Sequence, residues 1–177
     1  SMFSFHATKV FNTIEGGAVC FKDPNLYDTL NQWKNFGITG PEDVEYVGGN
    51  AKMNEFCAAM GVCNLRHLDD EIAKRKVVAE RYWDRLEDLH GVRIFRPADG
   101  VKANYAYLPV IFDPSKFGAT RDDVFDALDA AGVGARKYFY PLINDFACYR
   151  SVYSSDRTPV AQKLASQVLT VPMFADL

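Results

Sequence analysis

No stretch of this chain approaches the roughly 20 consecutive apolar residues that span a bilayer. The N-terminus likewise has neither a basic leader nor an apolar run behind one. An excess of one charge is also missing. The 20 Lys and Arg are interspersed with 23 Asp and Glu, for a formal net charge of −3. Such a balance gives no broad attraction for phosphate backbones or anionic lipid, so neither nucleic acid nor membrane is an expected partner, and the missing span and leader lead to the expectation of a cytoplasmic location. Cysteine is sparse. Cys20, Cys57, Cys63 and Cys148 form no C-x-x-C pair and fall short of the density of a secreted disulfide scaffold. They are expected to be reduced and mostly buried. His6, His67 and His90 have no histidine partner at helical spacing, so no metal site is expected. Internal repeats and low-complexity tracts are absent.

What is present is a globular composition of 48% hydrophobic and 14% aromatic residues over 177 positions, enough for one or two domains with a core. Ser1 and Met2 read as an appended residue and a start residue and are set aside from the fold. Strand and helix signals then alternate. Residues 17–22 (GAVCFK) form a short apolar run. Asp23-Pro24 offers an N-cap and a first-turn proline ahead of Leu26, Leu30 and Trp33 at helical spacing, and Gly37 stops the helix. Residues 37–49 (GITGPEDVEYVGG) hold four glycines and a proline and predict a long loop, a place where function concentrates. From Met53 the pattern is helical, with Phe56, Ala59 and Met60 on one face and Leu68, Ile72, Ala79, Tyr82, Leu86 and Leu89 as a second stripe. Residues 105–112 (YAYLPVIF) read as a strand. Thr120 with Asp123 imitates a capping box, and Gly132 ends the helix that follows. Residues 133–140 read as another strand, and a last helix runs from Thr158-Pro159 through Leu164 and Val168. The composite is an α/β chain in two unequal parts divided near Gly48-Gly49. The first part is too small to bury a core alone.

Four runs carry a resemblance. Ser4-Phe5-His6-Ala7-Thr8-Lys9 followed by Glu15-Gly16-Gly17-Ala18 resembles the Schiff-base lysine segment of the DegT/DnrJ/EryC1/StrS sugar-nucleotide aminotransferases, which use pyridoxal phosphate. Gly48-Gly49-Asn50-Ala51-Lys52-Met53-Asn54-Glu55 resembles that family's G-x-N-x-[RK]-x-x-E segment. Tyr138-Phe139-Tyr140-Pro141-Leu142 resembles the loop before its last helices, and Val171-Pro172-Met173-Phe174 the segment after them. Each match alone is weak: a lone lysine is usually a solvated charge, and an asparagine closing a loop is usually an N-cap, here Asn50 or Asn54. Four matches in register are specific.

The resemblance implies the C-terminal portion of a longer enzyme of the aspartate-aminotransferase-like fold. Residues 3–48 would be a remnant of the large cofactor-binding domain and 49–177 the small α/β domain. It implies that Lys9 is the catalytic amine that condenses with the cofactor aldehyde and moves the proton, the cofactor ring serving as electron sink. Ser4 would place a hydroxyl on the cofactor phosphate, and Asn50 would reach that phosphate from the partner subunit of a homodimer. Near the sugar-nucleotide site, Tyr140 would bond the sugar and Lys137 or Arg136 would meet a phosphate. The plainer alternative places Tyr138 and Tyr140 on one core face of a strand. Phe139 stands where many members carry histidine, so a histidine contact to substrate does not carry over. The implied reaction moves an amino group from glutamate to the keto carbon of a dTDP-4-keto or 3-keto-6-deoxyhexose. A sugar dehydratase of the same fold is the alternative within the fold, although those relatives replace the lysine with histidine. A non-catalytic α/β binding module is the alternative outside it. With the rest of the cofactor site absent, this chain alone is expected to bind the cofactor poorly and to be inactive.

Overall fold

The computed structural model describes residues 1–177, which divide into two compact units, Ser1–Asp69 and Asp70–Leu177. No helix is long and apolar enough to cross a membrane.

The first unit opens with an antiparallel hairpin, β1 (Met2–Ser4) and β2 (Gly17–Val19), paired Met2 to Val19 and Ser4 to Gly17. Ser1 and Met2, set aside on sequence, belong to it, and the Ser1 ammonium donates to the Cys20 carbonyl at 2.7 Å. Helix α1 (Leu26–Lys34) follows. Asp23 does not cap it. The Asp23 carboxylate instead accepts from Asn25 N in the turn ahead of the helix, where its carbonyl and that of Pro24 take the amides of Leu26 and Tyr27. Helix α2 (Glu55–Leu65) is capped by Asn54, whose side chain accepts from Cys57 N at 2.9 Å, so Asn54 rather than Asn50 ends the loop. The unit extends to Asp69, past the glycine pair at 48–49, because α2 packs on the hairpin loop: Asn64 donates to the Asn12 carbonyl at 2.9 Å.

The second unit is built on α3 (Leu68–Leu86) and an antiparallel sheet of order β3-β4-β5, with β3 at Val92–Ile94, β4 at Leu108–Phe112 and β5 at Val168–Val171. Period-2 alternation turns Leu108, Val110 and Phe112 of β4 to one face. Leu108 packs there with Ala79 and Trp83 of α3, and Val110 and Phe112 pack with Leu169 of β5. Trp83 also anchors the chain after β3, its indole donating to the Phe95 carbonyl at 3.0 Å. Pro109 is tolerated in the central strand. Thr170, opposite it, spends both its amide and its carbonyl on Arg136, so the Pro109–Thr170 pair carries no ladder bond, and β3 ends one pair short of Pro109.

A short helix α4 (Pro114–Phe117) leads to α5 (Arg121–Ala130). The capping box is present in full: Thr120 Oγ1 accepts from Asp123 N, and the Asp123 carboxylate accepts from Thr120 N at 2.8 Å. Gly132, at φ 75°, closes the helix in the left-handed region, as its sequence position requires. Helix α6 (Pro159–Gln167) runs directly into β5.

Four further expectations differ. Residues 133–140 are not a strand. They touch the sheet only through the Arg136–Thr170 bridge and continue into a loop with cis peptides at Tyr138–Phe139 and Tyr140–Pro141. The 105–112 strand begins only at Leu108, because Tyr105 has φ 52°. Val168 is the first residue of β5 rather than the end of a helix. Of the cysteines, only Cys57 is buried.

Candidate functional site

Lys9 lies on the loop between β1 and β2, and every turn of that loop is tied down. Phe5 N donates to the Gly16 carbonyl at 2.8 Å and Thr13 N to the Phe5 carbonyl at 2.9 Å, closing its base. Lys9 N donates to the His6 carbonyl at 2.9 Å, and the Asn12 amide returns to the Lys9 carbonyl at 3.2 Å. Phe5 and Phe11 meet edge to face at 5.0 Å. Thr13, 3% exposed, gives its hydroxyl to the Glu15 carbonyl and its methyl to Gly61 of α2. A Cβ at Gly61 would lie 2.8 Å from that methyl, so the missing side chain lets the loop seat on the helix.

The loop therefore presents Lys9 from a fixed backbone. The residue is half-buried, and its ammonium has no carboxylate partner. The nearby acid Glu15 faces His6 instead, at 3.5 Å. Ser4, at the loop's entrance, is exposed, and its hydroxyl accepts only a long 3.4 Å bond from His6 N.

Asn50 sits at the end of the glycine loop, in a single bridge with Asn35. Its segment is laced to the C-terminus of α1: Gly49 N donates to the Trp33 carbonyl, Phe36 N to the Gly49 carbonyl, and Ala51 N to the Lys34 carbonyl, all within 3.0 Å. Gly48 makes this approach possible, since a Cβ there would fall 2.3 Å from Gly37 N. The Asn50 side chain is exposed and makes no hydrogen bond. The first unit thus holds an unpaired amine, a hydroxyl that still has its proton to donate and a free carboxamide on well-anchored backbone. That donor set suits a cofactor carrying an aldehyde and a phosphate.

In the second unit, Arg136, Lys137 and Tyr140 occupy the irregular segment after α5. Tyr140 is 57% exposed and so is no core residue. Its ring lies against the Arg121 guanidinium, with 4.9 Å from Cζ to the ring centroid, and its hydroxyl is free. Tyr138 packs between Tyr107 and Phe139. Lys137 is already engaged: its ammonium reaches the Asp122 carboxylate at 2.5 Å and lies over the Phe125 ring at 4.6 Å. Arg136 is exposed and has no ion pair. The Lys137 ammonium, ahead of Arg121, holds the Asp122 carboxyl below its ordinary range. Sequence reasoning missed Arg121 and Asp122. Both lie in the first turn of a helix, where an acid is expected and an arginine reads as solvated. Only the fold shows Arg121 to be 3% exposed.

A family profile decides what these residues belong to: it matches residues 1–177 from end to end and describes the DegT/DnrJ/EryC1/StrS aminotransferase family. This chain belongs to that family. DegT/DnrJ/EryC1/StrS members depend on pyridoxal phosphate. Among the chain's curated relatives is the dTDP-4-amino-4,6-dideoxy-D-glucose transaminase of Shigella dysenteriae, 37% identical over all of this chain and 48% of the relative. The Escherichia coli protein of the same name is 36% identical over 92% of this chain and 44% of its own length. Among solved structures, DesI, crystallised in the presence of its TDP-sugar product, superposes with a TM-score of 0.89 at 35% identity, covering 99% of this chain and 45% of DesI. A family aminotransferase from Brucella abortus gives 0.85 at 26% identity over 98% and 45%. The chain thus spans about half the length of the relatives it matches, and its fold is a partial aminotransferase fold.

Proposed function

We propose that this chain is the C-terminal portion of a pyridoxal-phosphate-dependent aminotransferase that moves an amino group from glutamate to the keto carbon of a dTDP-linked 4-keto-6-deoxyhexose. The unpaired, half-buried Lys9 amine on a rigidly tied loop carries the reading. The names of the curated relatives and of the DesI structure support the substrate class.

In this reading Lys9 holds the cofactor covalently and serves as the acid and base at the reacting carbon. Its ε-nitrogen makes no ion pair within the fold, and a primary amine is the group that can both bond the cofactor and carry the proton. The bound cofactor supplies the electron sink. Ser4 and Asn50 bind the cofactor phosphate, each with a donor the fold leaves uncommitted, and Asn50 does so from the partner subunit of a homodimer in the cytoplasm. Residues 3–48 belong to the large domain and 49–177 to the small one. The apolar surface of the hairpin and α1 fits a segment that packs inside a larger domain: Met2, Phe3, Val19, Phe21, Leu26, Tyr27 and Trp33 are all exposed, and no residue of α1 is buried. The rest of the enzyme would cover that surface.

The test is amino-sugar formation by the complete enzyme from glutamate and dTDP-4-keto-6-deoxyglucose. The reading expects turnover that Lys9→Ala abolishes. Turnover that survives Lys9→Ala, or no amino sugar from the unmodified enzyme, overturns it.

A further inference from the structure

The loop at 136–141 carries two cations, Arg136 and Lys137, and their surroundings separate them. Asp122 Oδ1 takes both the Lys137 ammonium and Arg121 Nε, the latter at 2.8 Å. Arg121 also donates to the carbonyls of Ala165 and Val168, at 2.9 and 3.2 Å, at the negative end of α6. Two cations are thus answered by one carboxylate and a helix C-terminus, and little positive charge is left for a ligand. The Lys137 ammonium is covered on another side by the Phe125 ring. Arg136 differs. Its backbone is fixed by the two bonds to Thr170, while its guanidinium is exposed and unpaired.

We propose that Lys137 is a positioning residue, clamped by Asp122 and Arg121 to fix the 136–141 loop, and that Arg136 is the loop's phosphate-facing cation, with Tyr140 as its sugar-facing group. The clamp stands on the geometry alone. The roles of Arg136 and Tyr140 rest on the proposed sugar-nucleotide reading. Arg121 lies over the Tyr140 ring, 4.9 Å from Cζ to its centroid, and leaves the hydroxyl free, so a shift of the clamp misplaces Tyr140 without removing a ligand contact.

The sign of one variant tells the two roles of Lys137 apart. Asp122→Asn frees the ammonium. If Lys137 were a phosphate ligand, a freed ammonium would bind the sugar nucleotide more tightly and KM would fall. If Lys137 positions the loop, the same change loosens it and KM rises. The complete enzyme is therefore measured two ways. Brief chymotrypsin treatment reads cleavage after Tyr138 and Phe139, independently of substrate, and steady-state kinetics read KM for the sugar nucleotide. Asp122→Asn and Lys137→Gln should each speed cleavage by roughly tenfold, as expected for losing a charge-assisted bond, and the double variant should be no faster than either. Lys137→Arg should restore protection. KM should rise in both single variants, and Arg136→Gln should raise KM without changing cleavage. Unchanged cleavage in Asp122→Asn overturns the clamp, and a fall in its KM overturns the positioning role of Lys137. An unchanged KM in Arg136→Gln overturns that assignment. Normal cleavage effects in an enzyme that turns over no sugar nucleotide would sink the functional reading and leave the clamp intact.

Discussion

Gly61→Ala sets two effects of opposite sign against each other. Alanine in a helix interior is favoured over glycine by about 1 kcal/mol. Against this, the new Cβ of α2 would stand 2.8 Å from Thr13 Cγ2. The methyl cannot swing aside, because Thr13 is branched at Cβ, 3% exposed, and held by its hydroxyl bond to the Glu15 carbonyl at 2.8 Å. Overpacking of this kind costs about 1–3 kcal/mol, so the variant should lose about 1 kcal/mol net. The next atom, Phe11 Cζ, is at an ordinary 3.9 Å. Thr13→Ser removes only the offending methyl and keeps the hydroxyl. In that background, Gly61→Ala should become stabilising. Urea unfolding of the four proteins of this cycle measures the coupling directly. If Gly61→Ala stabilises the unmodified chain, or if the cycle shows no coupling, the Lys9 loop does not seat on α2 as described.

Gly48→Ala should be harsher than Gly61→Ala, because its Cβ meets backbone at 2.3 Å from Gly37 N and 2.6 Å from Phe36 C; the expected loss exceeds about 2 kcal/mol by thermal unfolding and frees the Asn50 segment to exchange its amides. Thr120→Ala removes one half of the capping box and should cost about 1 kcal/mol, again by urea unfolding, with the Asp123 carboxylate left facing only the Thr120-position amide. Acid should loosen the second unit in a set order. Lys137 holds the Asp122 carboxyl below its ordinary range, so its contribution is fully present above about pH 4 and is lost as pH falls through the lowered value; amide exchange in the 136–140 segment, corrected for the intrinsic pH dependence, should accelerate there and not between pH 5 and 8.

Local signals made several elements legible. The Thr120–Asp123 box and Gly132 act over three or four residues, and each does in the fold what its position promised. The stripe from Leu68 to Leu86 needed only helical periodicity, since one face of α3 meets the sheet. What stayed hidden depends on partners distant in sequence. β3 is three residues long and forms because β4 offers it a neighbour. Residues 133–140 look like a strand by composition, but Arg136 alone finds a sheet partner in Thr170. At the candidate site, motif resemblance nominated Lys9, Ser4 and Asn50, but it gave no sign of the pairing of Lys137 with Asp122. That pair joins a helix start to a loop fifteen residues on, and the burial of Arg121 depends on the carbonyls of Ala165 in α6 and Val168 at the start of β5.

The central claim is that the Lys9 amine condenses with the cofactor aldehyde. Borohydride reduction of the complete enzyme loaded with pyridoxal phosphate, followed by peptide mapping, tests it most directly. The account predicts a single stable label, on the peptide that contains Lys9, absent in Lys9→Ala. A label on another lysine, or an unmodified Lys9 in a fully reduced holoenzyme, would contradict it.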